Sequence, residues 1–286
     1  MTLASERIIG AIGHPVSRVP TGAGGVGRLR SAWPGGDDVV VPDPIFCHPR
    51  LAAVYDFIDG DRGDLDAYVA IAEELGARSV LDIGCGTGTF ACRLANSGKR
   101  AIGLDPAAAS LDVAQQKPGA EQVRWIHGNV SHLPALSVDL ATMTGNVAQV
   151  FLTDIEWTQV LEAVQTAVRP GGWLVFETRD PSRRVWESWT RNETHRRVAI
   201  PQTGLVATWI ELIKVELPYV SFRHTFRFWV DGTELTSDST LRFRTRGEVA
   251  KSLDGAGFRV REVRDAPDRP GRELVFLAQR LPDTGS

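Results

Sequence analysis

Residues 80–88 read Val80-Leu81-Asp82-Ile83-Gly84-Cys85-Gly86-Thr87-Gly88, and this stretch decides the fold. Four β-compatible residues run into three glycines at alternate positions, and an amphipathic stretch over residues 89–97 follows at once. That order predicts a buried strand, a glycine turn and a helix start. Such a turn puts backbone N–H groups at the positive end of a helix and lets a ligand approach the main chain closely. A cofactor is expected there.

Moving outward, the pattern alternates. Residues 100–104 read as a strand ending at Asp105, and residues 107–116 as a helix. Strands are expected over 123–126, 138–144 and 173–178, with Pro170-Gly171-Gly172 as a turn before the last. Thr153 and Glu156 have capping-box spacing and open a helix that puts Trp157, Leu161, Val164 and Val168 on one face. Strand and helix in succession imply parallel pairing with helices on both sides of the sheet. Upstream, Leu51, Val54, Tyr55 and Ile58 share one helical face, and Leu65, Tyr68, Val69, Ala72 and Leu75 share another.

After Asp180 the rhythm breaks. Residues 183–197 are partly helical, and three alternating runs follow over 205–217, 220–230 and 234–243. Asp231-Gly232 is a hairpin signal, so these runs form an antiparallel flap of about three strands. Thr245 and Glu248 open a short helix, and residues 258–263 and 274–279 close the main sheet. The chain thus divides into an N-terminal arm (1–44), a cofactor-binding core (45–180), a substrate-covering insert (181–244) and a C-terminal part of the core sheet (245–286). The arm is rich in Gly and Pro, and Gly22 to Gly27 spell GxGxxG without the strand and helix that motif needs.

Composition bounds the rest. A chain of 286 residues, 43% hydrophobic and 23% charged, can bury one large α/β core with a small appendage. Its net charge of −3 speaks against non-specific nucleic-acid binding. Cys47, Cys85 and Cys92 form no CxxC pair, so neither a zinc site nor a disulfide framework is indicated. No apolar run is long enough for a membrane span and no signal-peptide order is present, which makes the cytoplasm the expected compartment.

Two cofactors compete for the glycine turn. A dinucleotide fingerprint needs GxGxxG, but Thr89 stands where its last glycine belongs. Asp82, in the strand end, would repel a pyrophosphate and suits a cofactor bearing an amino acid.

Here the chain resembles the class I S-adenosylmethionine-dependent methyltransferases of the small-molecule type. Four blocks in register carry the resemblance: VLDIGCGTG (80–88), GLDPA (103–107), IHGNVSHLP (126–134) and RPGGWLVFE (169–177). The resemblance implies an α/β fold with a doubly wound, mostly parallel seven-stranded sheet whose last strand is antiparallel, and S-adenosylmethionine as cofactor. It implies that Asp82, Gly84 and Gly86 sit against the methionine part of the cofactor, with Gly88 completing the turn. Asp105 would accept the ribose hydroxyls; the competing reading is a helix N-cap beside Pro106. As an acid at the sheet edge, Asp105 is expected to serve the ribose alone, so that its loss spares the fold. Asn129 and Val130 match the block that contacts adenine, although the family often has Asp at position 129. Thr144 and Gly145 would lie near the transferred methyl. Tyr55 resembles a tyrosine that covers the cofactor, with a core helix residue as the alternative.

Methyl transfer from a sulfonium needs alignment and exclusion of water more than a catalytic triad. At the end of the fourth strand, Thr144-Gly145-Asn146-Val147 replaces the Asn/Asp-Pro-Pro-aromatic block of DNA amino-methyltransferases, so nucleic acid is not the expected partner. Trp209, Phe222, Phe226, Phe228 and Trp229 on the insert could roof an apolar pocket for a small organic acceptor, or simply pack the insert down. His224 is the leading candidate for a base, because alternation puts it with Phe222 and Phe226 on one face; His195, Glu177 and Asp180 are the others. Arg179 and Arg223 stay unassigned. The expected function is methyl transfer to N or O of a small metabolite. The alternatives are a non-catalytic S-adenosylmethionine-binding regulator or scaffold and a nucleotide-dependent oxidoreductase.

Overall fold

The computed structural model describes residues 42–282, so the GxGxxG letters at 22–27 and most of the expected arm lie outside the described residues. Within 1–44, Pro42 and Asp43 are buried, and the Asp43 carboxylate accepts from the Ser239 hydroxyl.

In chain order the elements are α1 (Pro44–Cys47), α2 (Pro49–Asp59), α3 (Asp64–Glu74), β1 (Ser79–Ile83), α4 (Thr89–Asn96), β2 (Arg100–Asp105) and α5 (Ala108–Ala114). There follow β3 (Arg124–His127), β4 (Val138–Met143), α6 (Asp154–Ala167) and β5 (Val168–Arg179). The insert adds α7 (Arg191–Thr194), β6 (Arg196–Ile200), β7 (Gly204–Glu216), β8 (Tyr219–Phe228) and β9 (Glu234–Arg242). The chain returns to the main sheet through α8 (Arg246–Gly255), β10 (Phe258–Asp265) and β11 (Glu273–Arg280).

The seven-stranded sheet runs β10-β11-β5-β4-β1-β2-β3. β1 pairs in parallel with β2 and β4, and β11 is antiparallel to both β5 and β10. All five residues of β1 are buried, as a strand covered on both faces requires. One face packs Leu81, Leu104 and Phe176 against Trp157, Leu161 and Val164 of α6 and Val249 and Leu253 of α8. The other packs Val80, Leu140 and Val175 against α3 and α4. Both expected capping boxes form. Thr153 N–H reaches Glu156 Oε2 at 2.8 Å, and Thr245 N–H reaches Glu248 Oε2 at 2.8 Å.

Trp125 in β3 does an unusual packing job. A Cβ on Gly103 would stand 2.7 Å from its ring and 2.9 Å from Cys85 Sγ, and one on Gly88 would stand 2.5 Å from the same indole. The ring therefore fills the side-chain space of two glycines, one in β2 and one in the turn.

The insert departs from expectation. It is a four-stranded antiparallel sheet, β6-β7-β8-β9, with Arg196 opposite Thr208 and Ile200 opposite Gly204. β6 reads Arg196-Arg197-Val198-Ala199-Ile200, with no polar–apolar alternation, and only Ile200 is fully buried, so its sequence carries little strand signal. Nor is Pro170-Gly171-Gly172 a break before a later strand. β5 already pairs at Val168 with Val138, and these residues form an irregularity within it.

Candidate cofactor cleft

The glycine turn bridges β1 and α4, with φ of +68° at Gly84, +53° at Gly86 and +75° at Gly88. Most of its amides are already engaged. Gly84 and Cys85 N–H donate to Leu104 O at 2.8 and 3.1 Å, Gly86 N–H to Asp105 Oδ2 at 2.7 Å and Gly88 N–H to Cys85 O at 2.8 Å. These four donors are spent inside the protein and are not free for a ligand. What the turn offers is room. A Cβ on Gly86 would have no atom within 4 Å, and Gly86 lines a cleft that is partly open to solvent.

Asp105 lines the same cleft from the end of β2. It is 1% exposed and accepts from both Gly86 N–H and Ala107 N–H, the latter at 2.8 Å. The competing readings are therefore both true in part: its carboxylate orders the main chain and faces the cleft. This corrects the sheet-edge view, in which the carboxylate served the ribose alone. Burial pushes its pKa up to about 6, and the two backbone N–H groups hold it from going higher.

Asp82 lies below the turn and is not among the cleft-lining residues. Its Oδ1 accepts from Thr142 Oγ1 at 3.0 Å, its Oδ2 is buried without a hydrogen-bond partner, and burial lifts it to about 7. Both carboxyls hold their protons more tightly in the folded chain than an ordinary aspartate does. The sign follows: their contribution to stability is full below pH ~4 and is lost as pH rises through about 6 and 7. The ligand-free protein is therefore expected to melt at higher temperature near pH 5 than near pH 8. Asp82→Asn should flatten that slope in a thermal-unfolding series, and an unchanged slope would count against a buried, protonated Asp82.

The opposite walls come from elsewhere in the chain. Thr144 and Gly145 line the cleft from the end of β4, and so does Tyr55 from α2. Tyr55 packs 5.6 Å from the Phe46 ring, so its two readings, core residue and cleft wall, coincide. Asp56, one residue on, clips α2 to the turn. It accepts from Thr87 Oγ1 at 2.6 Å and pairs with Lys117 Nζ at 2.5 Å, while Lys117 also donates to Thr89 Oγ1 at 2.7 Å.

Other expected residues are not brought in. Asn129 and Val130 do not line the cleft: Asn129 Oδ1 caps its own turn, accepting from Ser131 N–H at 3.0 Å, and Val130 packs onto the core. His224 is buried on the inner face of the insert, shares a short hydrogen bond with Thr208 and touches the Phe226 ring. Burial, reinforced by Arg196, holds its pKa far below the usual histidine range. It is a neutral packing residue that does not line the cleft, which corrects its assignment as a base. The aromatic roof is likewise displaced. Phe222, Phe226 and Phe228 lie in a buried cluster with residues of α1 and α2 and with Trp186 and Trp189, Trp229 is 54% exposed, and the aromatics lining the cleft are Phe46, Tyr55 and Phe90. His195 stacks on Trp209, Asp180 caps Ser182, and Arg223 pairs with Asp238 on the surface.

Two residues carry more than their sequence showed. Arg62 lines the cleft while paired with Asp59 at 3.0 Å and Asp64 at 3.1 Å, so a guanidinium faces the ligand space. Its signal was the acid-flanked Asp61-Arg62-Gly63-Asp64, which reads equally well as helix capping. Glu177, at the end of β5, accepts from the N–H groups of Gly145 and Asn146. Arg179 is buried beside it, bonded to Gln149 and 3.7 Å from Glu273.

A doubly wound sheet with a single antiparallel strand, a glycine turn after β1 and an acid at the end of β2 defines a nucleoside-cofactor fold. Residues 80–172 match the family model of the methyltransferase domain. The chain is 31% identical over 144 residues to the cypemycin N-terminal methyltransferase of a Streptomyces species, a match covering 49% of this chain and 59% of that protein. Among solved structures it is similar to an S-adenosylmethionine-dependent methyltransferase from Clostridium acetobutylicum ATCC 824 (TM-score 0.67, 18% identity, 82% of this chain and 99% of that one). It is also similar to the sugar N-methyltransferase KedS8 from Streptoalloteichus sp ATCC 53650 (TM-score 0.67, 17% identity, 90% and 100%). Residues 80–172 thus match a methyltransferase domain, and the fold is that of solved S-adenosylmethionine-dependent methyltransferases. No helix among the described residues is long and apolar enough to cross a membrane.

Proposed function

We propose that this chain transfers a methyl group from S-adenosylmethionine to nitrogen or oxygen of a small organic acceptor. The observation that carries the reading is the cleft itself. Asp105 and the open space at Gly86 stand at one end, and Thr144 and Gly145 at the other. When bound, the cofactor supplies an activated methyl on a positively charged sulfur. Asp105 is set to accept the ribose hydroxyls with the carboxylate oxygens that already hold the turn. The Arg62 guanidinium suits the cofactor's carboxylate. Tyr55, Phe46 and Phe90 exclude water from the apolar part of the cleft, which is where alignment without competing solvent matters. A base is needed only if the acceptor must lose a proton at the moment of attack.

The small-molecule class is supported by similarity to a sugar N-methyltransferase and to a ubiquinone biosynthesis O-methyltransferase. Calorimetry with S-adenosylmethionine and S-adenosylhomocysteine, followed by an acceptor panel of amines and phenols, tests the proposal. We expect micromolar binding of both ligands and turnover of at least one acceptor class. Folded protein that binds neither ligand would sink it.

A further inference from the structure

Two bodies of the fold wall the cleft. Leu51, Val54, Tyr55 and Ile58 of α2 lie in the buried apolar cluster that also holds Phe46 of α1 and the phenylalanines of the insert. None of them belongs to the two apolar clusters of the main sheet, which hold Ile83 before the glycine turn and Phe90 after it. Phe46 and Tyr55 line the cleft from the first body, and Gly86, Thr87, Thr89 and Phe90 line it from the second.

Asp56 follows Tyr55 on α2 and bridges the two bodies. Its Oδ1 accepts from Thr87 Oγ1 at 2.6 Å, and its Oδ2 stands 2.5 Å from Lys117 Nζ. Lys117, beyond the end of α5, also donates to Thr89 Oγ1 at 2.7 Å. The bridge thus grips cleft-lining threonines on both sides of Gly88, one in the turn and one opening α4. Away from the turn, the same wall rests on α5, where Ser110 Oγ donates to Phe46 O at 2.9 Å and Ala107 joins the insert's cluster. One turn further along α2, Asp59 pairs with Arg62 at 3.0 Å, so this helix also holds a partner of the cleft's guanidinium. The Asp56 and Lys117 side chains keep 33% and 20% of their exposure, so water and salt reach the pair. Apolar packing has no such weakness, and the bridge is the part of the wall that opens at the lowest cost.

We propose that Asp56 is a positioning residue: through Thr87 and Lys117 it holds the Tyr55-bearing helix against the glycine turn, and opening of this bridge sets how fast S-adenosylmethionine and its demethylated product leave the cleft. This inference rests on the reading of the cleft given under Proposed function. Asp56 acts through its neighbour, because a shift of α2 away from the turn carries the Tyr55 ring with it. Salt screens the Asp56–Lys117 pair and so shortens the cofactor's stay.

The test measures release rather than turnover, so it needs no acceptor. Radiolabelled S-adenosylmethionine is bound to the full-length protein and chased with excess S-adenosylhomocysteine, at low and at high salt. At low salt we expect Asp56→Ala to release the label about tenfold faster than wild type, the equivalent of one lost charge-assisted contact, with little change in melting temperature. Lys117→Met should also speed release, and Lys117→Arg should restore the wild-type rate. Added salt should speed release from wild type more than from Asp56→Ala, so that the two converge. Asp105 and Arg62 are present in every variant, so their own response to salt cancels in the comparison. A merely structural role would lower the melting temperature without that convergence. If Asp56→Ala does not fold, Asp56→Asn can still accept from Thr87 and should lose only the salt-sensitive part of the cofactor's stay. Release from either Asp56 variant at the wild-type rate overturns the inference, as does an equal response to salt in variant and wild type. A wild type that binds neither ligand in calorimetry fails the underlying reading instead.

Discussion

Replacing Asp105 with alanine is expected to lower S-adenosylmethionine affinity about 100-fold, the equivalent of roughly 3 kcal/mol of charge-assisted hydrogen bonding. Two opposing effects decide what happens to the fold. Removing the carboxylate strands the N–H groups of Gly86 and Ala107, at about 1–3 kcal/mol each if both stay dry. It also removes a buried charge. A carboxyl whose pKa stands at about 6 when folded loses up to roughly 3 kcal/mol by being ionised at neutral pH. The two largely offset, so the melting temperature should fall by only a few degrees while binding collapses. Asp105→Asn separates the contributions, because its amide oxygen can still serve one N–H while the anionic acceptor is gone. Calorimetry and thermal unfolding on the three proteins check this; wild-type affinity in Asp105→Ala would remove Asp105 from the ribose site.

The second large effect is at Gly86. Its φ of +53° costs a β-branched residue roughly 1–2 kcal/mol, and the space above it belongs to the cleft rather than to protein atoms. Gly86→Val should therefore fold, with a modest loss of melting temperature, and show no measurable cofactor binding. The same substitution at Gly84 drives a branched side chain into Val147 and should cost much more stability. A Gly86→Val protein that binds normally would mean that the cofactor does not pass over the turn.

Much of this was legible in the sequence because it is local. The glycine turn after an apolar strand, the alternation of strands and helices, and the capping boxes at Thr153 and Thr245 are all set within a few residues of the chain. What could not be read is what depends on contacts across the fold. Alternation correctly put His224 on the face of Phe222 and Phe226, but it could not say that this face covers α1 and α2 instead of the cleft. Glu177 was noticed as an acid at a strand end. Its actual work, gripping two amides 31 and 32 positions earlier, exists only once β4 and β5 are side by side. β6 is hard to find because two arginines followed by Val, Ala and Ile show no polar–apolar alternation. Asp105 shows the intermediate case, where position was predictable and burial was not.

The indole of Trp125 has a consequence for how this sequence can drift. Gly103 has an ordinary backbone conformation, so alanine is refused there by neighbouring atoms alone, the Trp125 ring and Cys85 Sγ. The same ring bars a side chain at Gly88. A smaller residue at 125 opens a void of its own, yet it is the change that first makes room at 103. Substitutions at these positions are thus conditional on one another, and their effects should be strongly epistatic. The cradle of the cofactor is inherited as a block spanning β2, β3 and the turn, a unit of variation wider than the nine letters that announce it.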